Sequence, residues 1–564
     1  MVYCADLVSR CPTRTRGFES RPARGAWEAS YFVRRWYVGV ALSDGFSLTP
    51  VDVPVRRRGR PRGAGVVGAP VQKVLGGVNG RQDLGGWLWG AADILRGAVR
   101  NQKYEDYVVP LLFFKRLSDE YNATFEEKSR EFGGAVAGDS MFHRAAIPEG
   151  CFWEDIRGTG VNVGQKLNDA LAAIARANPK LDGVLNRTDF NDARELPEER
   201  LVRLIEHFSG RNLANGGVTP DVLGDAYEYL LKKFNEEAPN RAGEFYTPRE
   251  IVRVLVGCLK PGEGMRVYDP CCGSGGMLIE SYYHLKREGK DASKLFLFGQ
   301  EINPETWAMA RMNVFLHGME AWIEQGDTFI SPKFLNKDGS LRQFDLVLAN
   351  PMWNQDGFKR LMEDDQYGRF GYGVVNDSSA DWGWIQHMLA SLKPGGRMGI
   401  VLDQGALFRG GAEGTVREGV LKADLVECVV ALPEKLFYNT GAPGCLIFFN
   451  KAKPEARRGK VIFVYAAGGF EKMSNMNQLR DEDIQSVIGA FDSYQDAAKY
   501  AKIIDLKSIE ENEWNLSLTR YVDIYDEPKE LDIPKVWAEL KELEKQREKA
   551  NQKLAGYMRA LGFE

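Results

Sequence analysis

Apolar positions recur every three or four residues from Leu84 to Tyr121: Trp87, Leu88, Ala91, Ile94, Leu95 and Val99, then Val108, Leu111, Leu112, Lys115, Leu117 and Tyr121. That period predicts two helices. Segments 164–177 and 197–208 read the same way, whereas the Gly- and Pro-containing stretch near 133–150 reads as loop. Residues 83–225 are therefore expected to form a helical domain, a packing or clamp element without visible chemistry. Ala226–Phe234 is a further amphipathic helix and opens the next region.

From residue 266 the pattern changes. Short apolar runs alternate with helical stretches: 266–269, 295–301, a helix over 303–317, then runs at 321–327 and 344–351, a helix over 381–392, and strands at 397–402, 424–432 and 445–450. Alternating β and α units imply an α/β fold with a parallel, Rossmann-like sheet covered on both faces, and ligands at the carboxyl ends of the strands. This sets a catalytic domain at 226–470. In the remaining tail, 471–564, Ile533, Val536, Leu540, Leu543, Arg547, Ala550, Leu554, Tyr557 and Leu561 lie three or four apart. Such a stripe is either a helix packed on its own domain or, as preferred here, one that docks on a partner's long helices.

The 564 residues are 44% hydrophobic and 27% charged, an ordinary globular composition. No run of about 18 apolar residues predicts a membrane helix. The eight cysteines contain no CxxC pair, and Cys271 and Cys272 are adjacent; reduced thiols in a cytoplasmic protein, with no metal site, are expected. His143 and His207 are isolated and read as packing or surface residues.

Charge is unevenly spread. Residues 1–82 hold 14 Lys and Arg against 5 Asp and Glu, a balance of +9, so a net charge of −4 leaves −13 on the rest. An acidic body that works on nucleic acid needs a basic partner or a small local groove, because phosphate contacts dominate such affinity. The basic segment has no periodicity. One reading is a nucleic-acid arm around Val55–Arg62. The preferred one is a non-native or disordered extension: Gly17-Phe18-Glu19-Ser20-Arg21 is what the T-arm of a tRNA gene yields when read as codons, which places the expected start near Val71–Leu84.

Candidate chemistry gathers at the strand ends. Arg266-Val267-Tyr268-Asp269-Pro270-Cys271-Cys272-Gly273-Ser274-Gly275-Gly276 is a strand ending in an acid, then a glycine-rich turn. Glycines let backbone approach a ligand closely. Glu301 and Asp327 end the next two strands, and an acid after the second strand suits ribose hydroxyls. The acid before the turn would repel a pyrophosphate and suits a cation, so S-adenosylmethionine fits and NAD does not. Upstream, Gly243-Glu244-Phe245-Tyr246-Thr247-Pro248-Arg249-Glu250 reads as a helix start with Thr247 as N-cap, Pro248 at the first helical position and Glu250 completing a capping box; as function it reads as a lid over the cofactor. The fourth strand runs into Asn350-Pro351-Met352-Trp353. The Asn350 side-chain oxygen and the Pro351 carbonyl can each accept one N–H of an exocyclic amine, which aims its lone pair at a methyl donor. Trp353 offers a stacking face for a base turned out of its helix. Pro270-Cys271 resembles a cytosine-C5 nucleophile motif but lies in the cofactor turn, so no covalent role is expected.

With these motifs, and with Leu407-Phe408-Arg409-Gly410-Gly411-Ala412-Glu413 and Leu432-Pro433-Glu434-Lys435-Leu436-Phe437, the chain from about residue 84 onward resembles the modification subunits of type I restriction–modification systems, within the adenine-N6 DNA methyltransferase superfamily. The resemblance implies that Glu244, Phe245, Tyr246, Thr247, Pro248, Arg249, Asp269, Gly273, Ser274, Gly275, Gly276, Glu301 and Asp327 serve S-adenosylmethionine. It implies that Asn350, Pro351 and Trp353 serve the target adenine. The pattern usually has Pro at 352 and Phe or Tyr at 353; Met352 and Trp353 depart from it. Asn350, where cytosine-N4 enzymes commonly have Ser, favours adenine. The implied partners are DNA, a specificity subunit and a restriction subunit, with two copies of this chain per complex. The alternatives are a stand-alone DNA or RNA amino-methyltransferase and a non-catalytic cofactor-binding scaffold.

Overall fold

The computed structural model describes residues 78–237, 247–437, 440–473, 476–524 and 533–563, all within one unit spanning residues 71–564. The helical stripe over 84–121 becomes α1 (Val78–Leu95) and α2 (Tyr104–Phe132), followed by α3 (Val163–Ala177), α4 (Glu198–Ser209) and α5 (Pro220–Glu237). Leu84, Leu88, Ala91 and Leu95 of α1 and Val108, Leu111, Leu112 and Leu117 of α2 are buried, as a helical period of apolar residues requires. His207 stacks on Trp87 at 5.1 Å and His143 on Tyr121 at 3.8 Å, so both are packing residues. Helix α5 is continuous through residues 225 and 226.

Next come α6 (Arg249–Leu259), β1 (Arg266–Asp269), α7 (Gly276–Arg287), β2 (Phe296–Glu301), α8 (Pro304–Leu316), β3 (Trp322–Gln325) and β4 (Phe344–Ala349). After a long loop follow α9 (Asp381–Ala390), β5 (Leu392–Asp403), α10 (Gly411–Lys422), β6 (Val426–Ala431), β7 (Gly444–Asn450), β8 (Lys460–Tyr465), α11 (Asp481–Ser493), β9 (Ala501–Asp505) and α12 (Ile533–Ala560). Among the described residues these nine strands form one sheet, in the order β9-β8-β6-β7-β5-β4-β1-β2-β3.

The expected parallel sheet needs two corrections. Parallel pairing holds for β1 with β2 and β4, β2 with β3, β4 with β5, and β6 with β8. Strand β7 instead runs antiparallel to both β5 and β6, and β9 antiparallel to β8. Among the described residues of 432–443, between β6 and β7, none is helical, and a direct return reverses strand direction. The sheet also does not finish at residue 450, because β8 and β9 extend it.

The central strands serve two cores. In β4, Leu346 and Leu348 join a cluster shared with the helices α1–α7, while Val347 and Ala349 join a second one under α9 and α10. Alternation on a pleated strand sends successive side chains to opposite faces, and burial on both makes the run almost wholly apolar. The helical region shares the first cluster; Phe113 of α2 meets Phe315 of α8 at 4.8 Å between ring centres. No described helix is long and apolar enough to cross a membrane.

Candidate functional site

Strand order reverses between β1 and β4: from β1 the chain moves to β2 and β3 on one side, and later returns through β4 to β5 on the other. In an open α/β sheet this switch opens a crevice at the carboxyl ends. Val267 pairs with Leu346 and Tyr268 with Val347, so the exits of β1 and β4, Asp269 and Asn350, are neighbours. A cavity of about 290 Å³ lies there. Of the sequence candidates it brings together Thr247, Arg249, Asp269, Gly273, Ser274, Gly276, Glu301, Asp327, Asn350 and Pro351. Pro248, Gly275 and Trp353 do not line it, and Glu244, Phe245 and Tyr246 lie outside the described residues.

The glycine-rich turn is built for close backbone approach. Gly273 and Gly275 have φ of 52° and 84°, the left-handed region in which a Cβ is strained, and Gly273 has open space where a Cβ would stand. The Glu301 carboxylate ties the turn to the second strand: one oxygen accepts the Gly273 amide and the other the Asn303 amide, each at 2.9 Å. The Ser274 carbonyl accepts from Asn313 of α8 (2.9 Å). Cys272 packs against β2 at Gly299, where a Cβ would come within 2.9 Å of its sulfur. Burial pushes the thiols of Cys271 and Cys272 well above their ordinary range, so neither is a thiolate nucleophile.

Six carboxylates line the cavity (Glu105, Glu228, Asp269, Glu280, Glu301 and Asp327) against one basic residue among those described, Arg249. Arg249 is already engaged by Asp225 at 2.9 Å and Glu228 at 3.4 Å. Burial, reinforced by Glu301 and opposed by the Cys271 amide, raises Asp269 to about 8. Burial also raises Glu228 to about 7, against the pull of Arg249. Asp327 accepts the backbone amides of Phe329 (2.7 Å) and Ile330 (3.1 Å), fixing the turn after β3.

Thr247 requires a correction. Helix α6 begins at Arg249 with Pro248 in the cap position, and no side chain caps it. The Thr247 hydroxyl instead accepts from Asn350 Nδ2 at 2.8 Å. On its other side Asn350 Oδ1 accepts the Trp353 indole N–H at 3.2 Å. An indole nitrogen only donates, so this pair of bonds sets which end of the amide is oxygen. The Trp353 ring meets Phe437 edge to face at 4.8 Å, and Met352 is exposed.

The chain as a whole is similar to known proteins. The N-6 DNA methylase profile matches residues 218–530, and that of the HsdM N-terminal domain matches residues 84–208. The chain belongs to the N-6 DNA methylase family. It is 35% identical over 506 residues to the methylase subunit of the type I restriction enzyme MjaVIII of Methanocaldococcus jannaschii, covering 85% of this chain and 84% of that one. It is 33% identical over 377 residues to the HindI methylase subunit of Haemophilus influenzae, covering 64% of this chain and 83% of that one. Among solved structures, the methyltransferase subunit of a type I restriction–modification system from Streptococcus thermophilus superposes with a TM-score of 0.68 at 28% identity, over 78% of this chain and 100% of that one.

In this methylase several site groups carried no sequence signal. Glu105 of α2, Glu228 of α5 and Glu280 of α7 also line the cavity, and none of the three was a site candidate in the sequence. A single acid on an amphipathic helix looks the same whether it faces water or a crevice. The Thr247–Asn350 bond joins residues 103 positions apart.

Proposed function

We propose that this chain is the DNA-methylating subunit of a type I restriction–modification complex, and that it transfers a methyl group from S-adenosylmethionine to N6 of an adenine turned out of its helix. The observation that carries the reading is the position of Asn350 at the rim of a carboxylate-lined cavity on the β1–β4 switch. The residues present fit the cofactor. A sulfonium and an ammonium suit a carboxylate-lined cavity, and the positive-φ turn leaves room at Gly273. When bound, the cofactor supplies a methyl group activated by the sulfonium.

The chain's own residues do the rest. Asn350 Oδ1 and the Pro351 carbonyl accept the amine hydrogens, which turns the lone pair of an otherwise delocalised nitrogen toward the cavity. Thr247 and Trp353 keep the amide in the required orientation. Glu301, held by the Gly273 and Asn303 amides at the exit of β2, is the carboxylate placed to accept from the cofactor's ribose hydroxyls. The target sequence is selected by a specificity partner, the complex holds two copies of this chain with a restriction subunit, and α12 docks on the partner.

The test is transfer of tritiated methyl from labelled cofactor to DNA, with and without the specificity partner. Asn350→Ala is expected to lower the rate by about a hundredfold or more, the range for loss of one donor or acceptor aimed at a transition state. Full transfer by that variant would overturn the catalytic assignment.

A further inference from the structure

The segment Leu407–Glu413 has had no chemistry assigned to it. Its Arg409 stands among three carboxylates from three elements. Nε donates to both oxygens of Glu413 (3.0 and 3.2 Å), Nη1 to Asp403 Oδ1 (3.2 Å), and Nη2 to Asp381 Oδ2 and to Ser379 Oγ (3.1 Å). Asp381 and Glu413 are buried, so the guanidinium is their counter-charge. Asp381 begins α9 and Asp403 ends β5.

The same two aspartates hold one further residue. Asn354 donates its backbone amide to Asp381 Oδ1 (3.0 Å) and its side-chain amide to Asp403 Oδ2. Each aspartate therefore has one oxygen on Arg409 and the other on Asn354. Asn354 follows Trp353 directly and has a φ of 55°, a conformation asparagine tolerates better than most residues. The neighbouring Gln355 accepts the Trp384 indole N–H at 2.9 Å, a second tie to α9. The chain that leaves Asn350-Pro351-Met352-Trp353 is thus tied to Asp381, Asp403 and Trp384, and the first two of these are shared with Arg409. Arg409 itself does not line the cavity.

We propose that Arg409 is a positioning residue for methyl transfer: by aligning Asp381 and Asp403 on Asn354, it sets where the Asn350–Trp353 loop stands over the cofactor cavity. The inference rests on the reading of Asn350 as the group that holds the target amine. A planar guanidinium can serve three carboxylates at once in fixed directions, and a lysine ammonium cannot reproduce that fork. A loop misplaced by about 1 Å lowers a rate by about a hundredfold without touching a reactant.

The experiment uses the full chain with its specificity partner. It compares wild type, Arg409→Lys, Asn354→Ala and Asn350→Ala in three readouts: single-turnover methyl transfer, cofactor affinity, and fluorescence of 2-aminopurine at the target adenine. Asn354→Ala leaves every charge of the cluster in place and removes the side-chain tie but strains the positive-φ backbone, so Asn354→Gly, which removes the tie and accepts that φ, is run beside it and must match it; the pair decides the matter even if Arg409→Lys folds poorly. Single-turnover rates about tenfold or more below wild type for Arg409→Lys and Asn354→Ala, with unchanged cofactor affinity and altered 2-aminopurine fluorescence, would bear the inference out. Wild-type rates for Asn354→Ala alongside an inactive Asn350→Ala would overturn it, leaving Arg409 as a counter-charge only. Full activity of Asn350→Ala would instead bring down the underlying site reading, and this inference with it.

Discussion

At the scale of single residues, two groups make separable predictions. Asp269 is held at about 8 in the free protein, mainly by burial and also by Glu301. A carboxyl raised above its ordinary value gives stability that is fully present below about pH 4 and is lost as pH rises through about 8. A cation bound beside it favours the ionised form, so affinity for the proposed cofactor should climb by up to about tenfold per pH unit and level off above about pH 8. Glu228, at about 7 on the same cavity, adds to the slope with the same sign. Titration calorimetry across this range checks it; Asp269→Asn should bind weakly with a flatter profile, and an unchanged steep profile in that variant would assign the slope elsewhere. Trp353 is the second group. Trp353→Phe keeps the ring against Phe437 but deletes the donor to Asn350 Oδ1. One neutral hydrogen bond is worth about 1 kcal/mol, so transfer should fall by about fivefold with little change in melting temperature. Equal rates for the two proteins would mean that the amide is oriented without the indole.

At the scale of elements, the chain was legible where an element repeats its own pattern and opaque where distant residues decide. The βα alternation, the acids that end β1 and β2 and the buried stripes of α1 and α2 could be read directly; Asp327 was expected to end β3 but stands in the turn two residues beyond it. The reversal of β7 could not, because direction depends on the path from residue 432 to 443 and not on composition. Thr247 was misread for the same reason. Thr-Pro-Arg-Glu is a sound local capping sequence, but Asn350, brought in by β4, takes the hydroxyl instead. Thr247→Val should therefore reduce turnover more than cofactor affinity, whereas Thr247→Ser, which keeps an acceptor, should recover most of the rate; equal behaviour of the two variants would reduce Thr247 to a packing residue. Helix α12 is the opposite case, a stripe correctly placed on a helix but with no buried residue. Leu540 and Leu543 are 45% and 60% exposed. Leu540→Asp with Leu543→Asp should change the stability of this chain by about 0.5 kcal/mol or less per site. The same pair should abolish co-purification with the specificity partner; retention of the partner would show that α12 is not its dock.

At the scale of the whole molecule, charge and topology point the same way. The sheet places the proposed chemistry at the β1–β4 switch and surrounds it with carboxylates, which suits a cationic donor but repels a polyanion. Residues 83–564 carry −13, so no long-range attraction brings DNA to the crevice. A duplex-binding protein gains most of its affinity by releasing counterions through about 6–10 phosphate contacts, and a body of this charge is poorly placed to supply them alone. On the proposed reading, the base that reaches Asn350 is delivered by contacts made elsewhere in the assembly. In electrophoretic shifts at about 150 mM salt, this chain alone should retain target DNA no better than unrelated DNA, and its methyl transfer should be at background. Adding the specificity partner should restore both, with a steep loss of affinity as salt rises, because the phosphate contacts then belong to the complex. Tight, sequence-selective binding and transfer by the isolated chain would mean instead that a basic groove forms locally despite the acidic balance, and that the enzyme reads its own target.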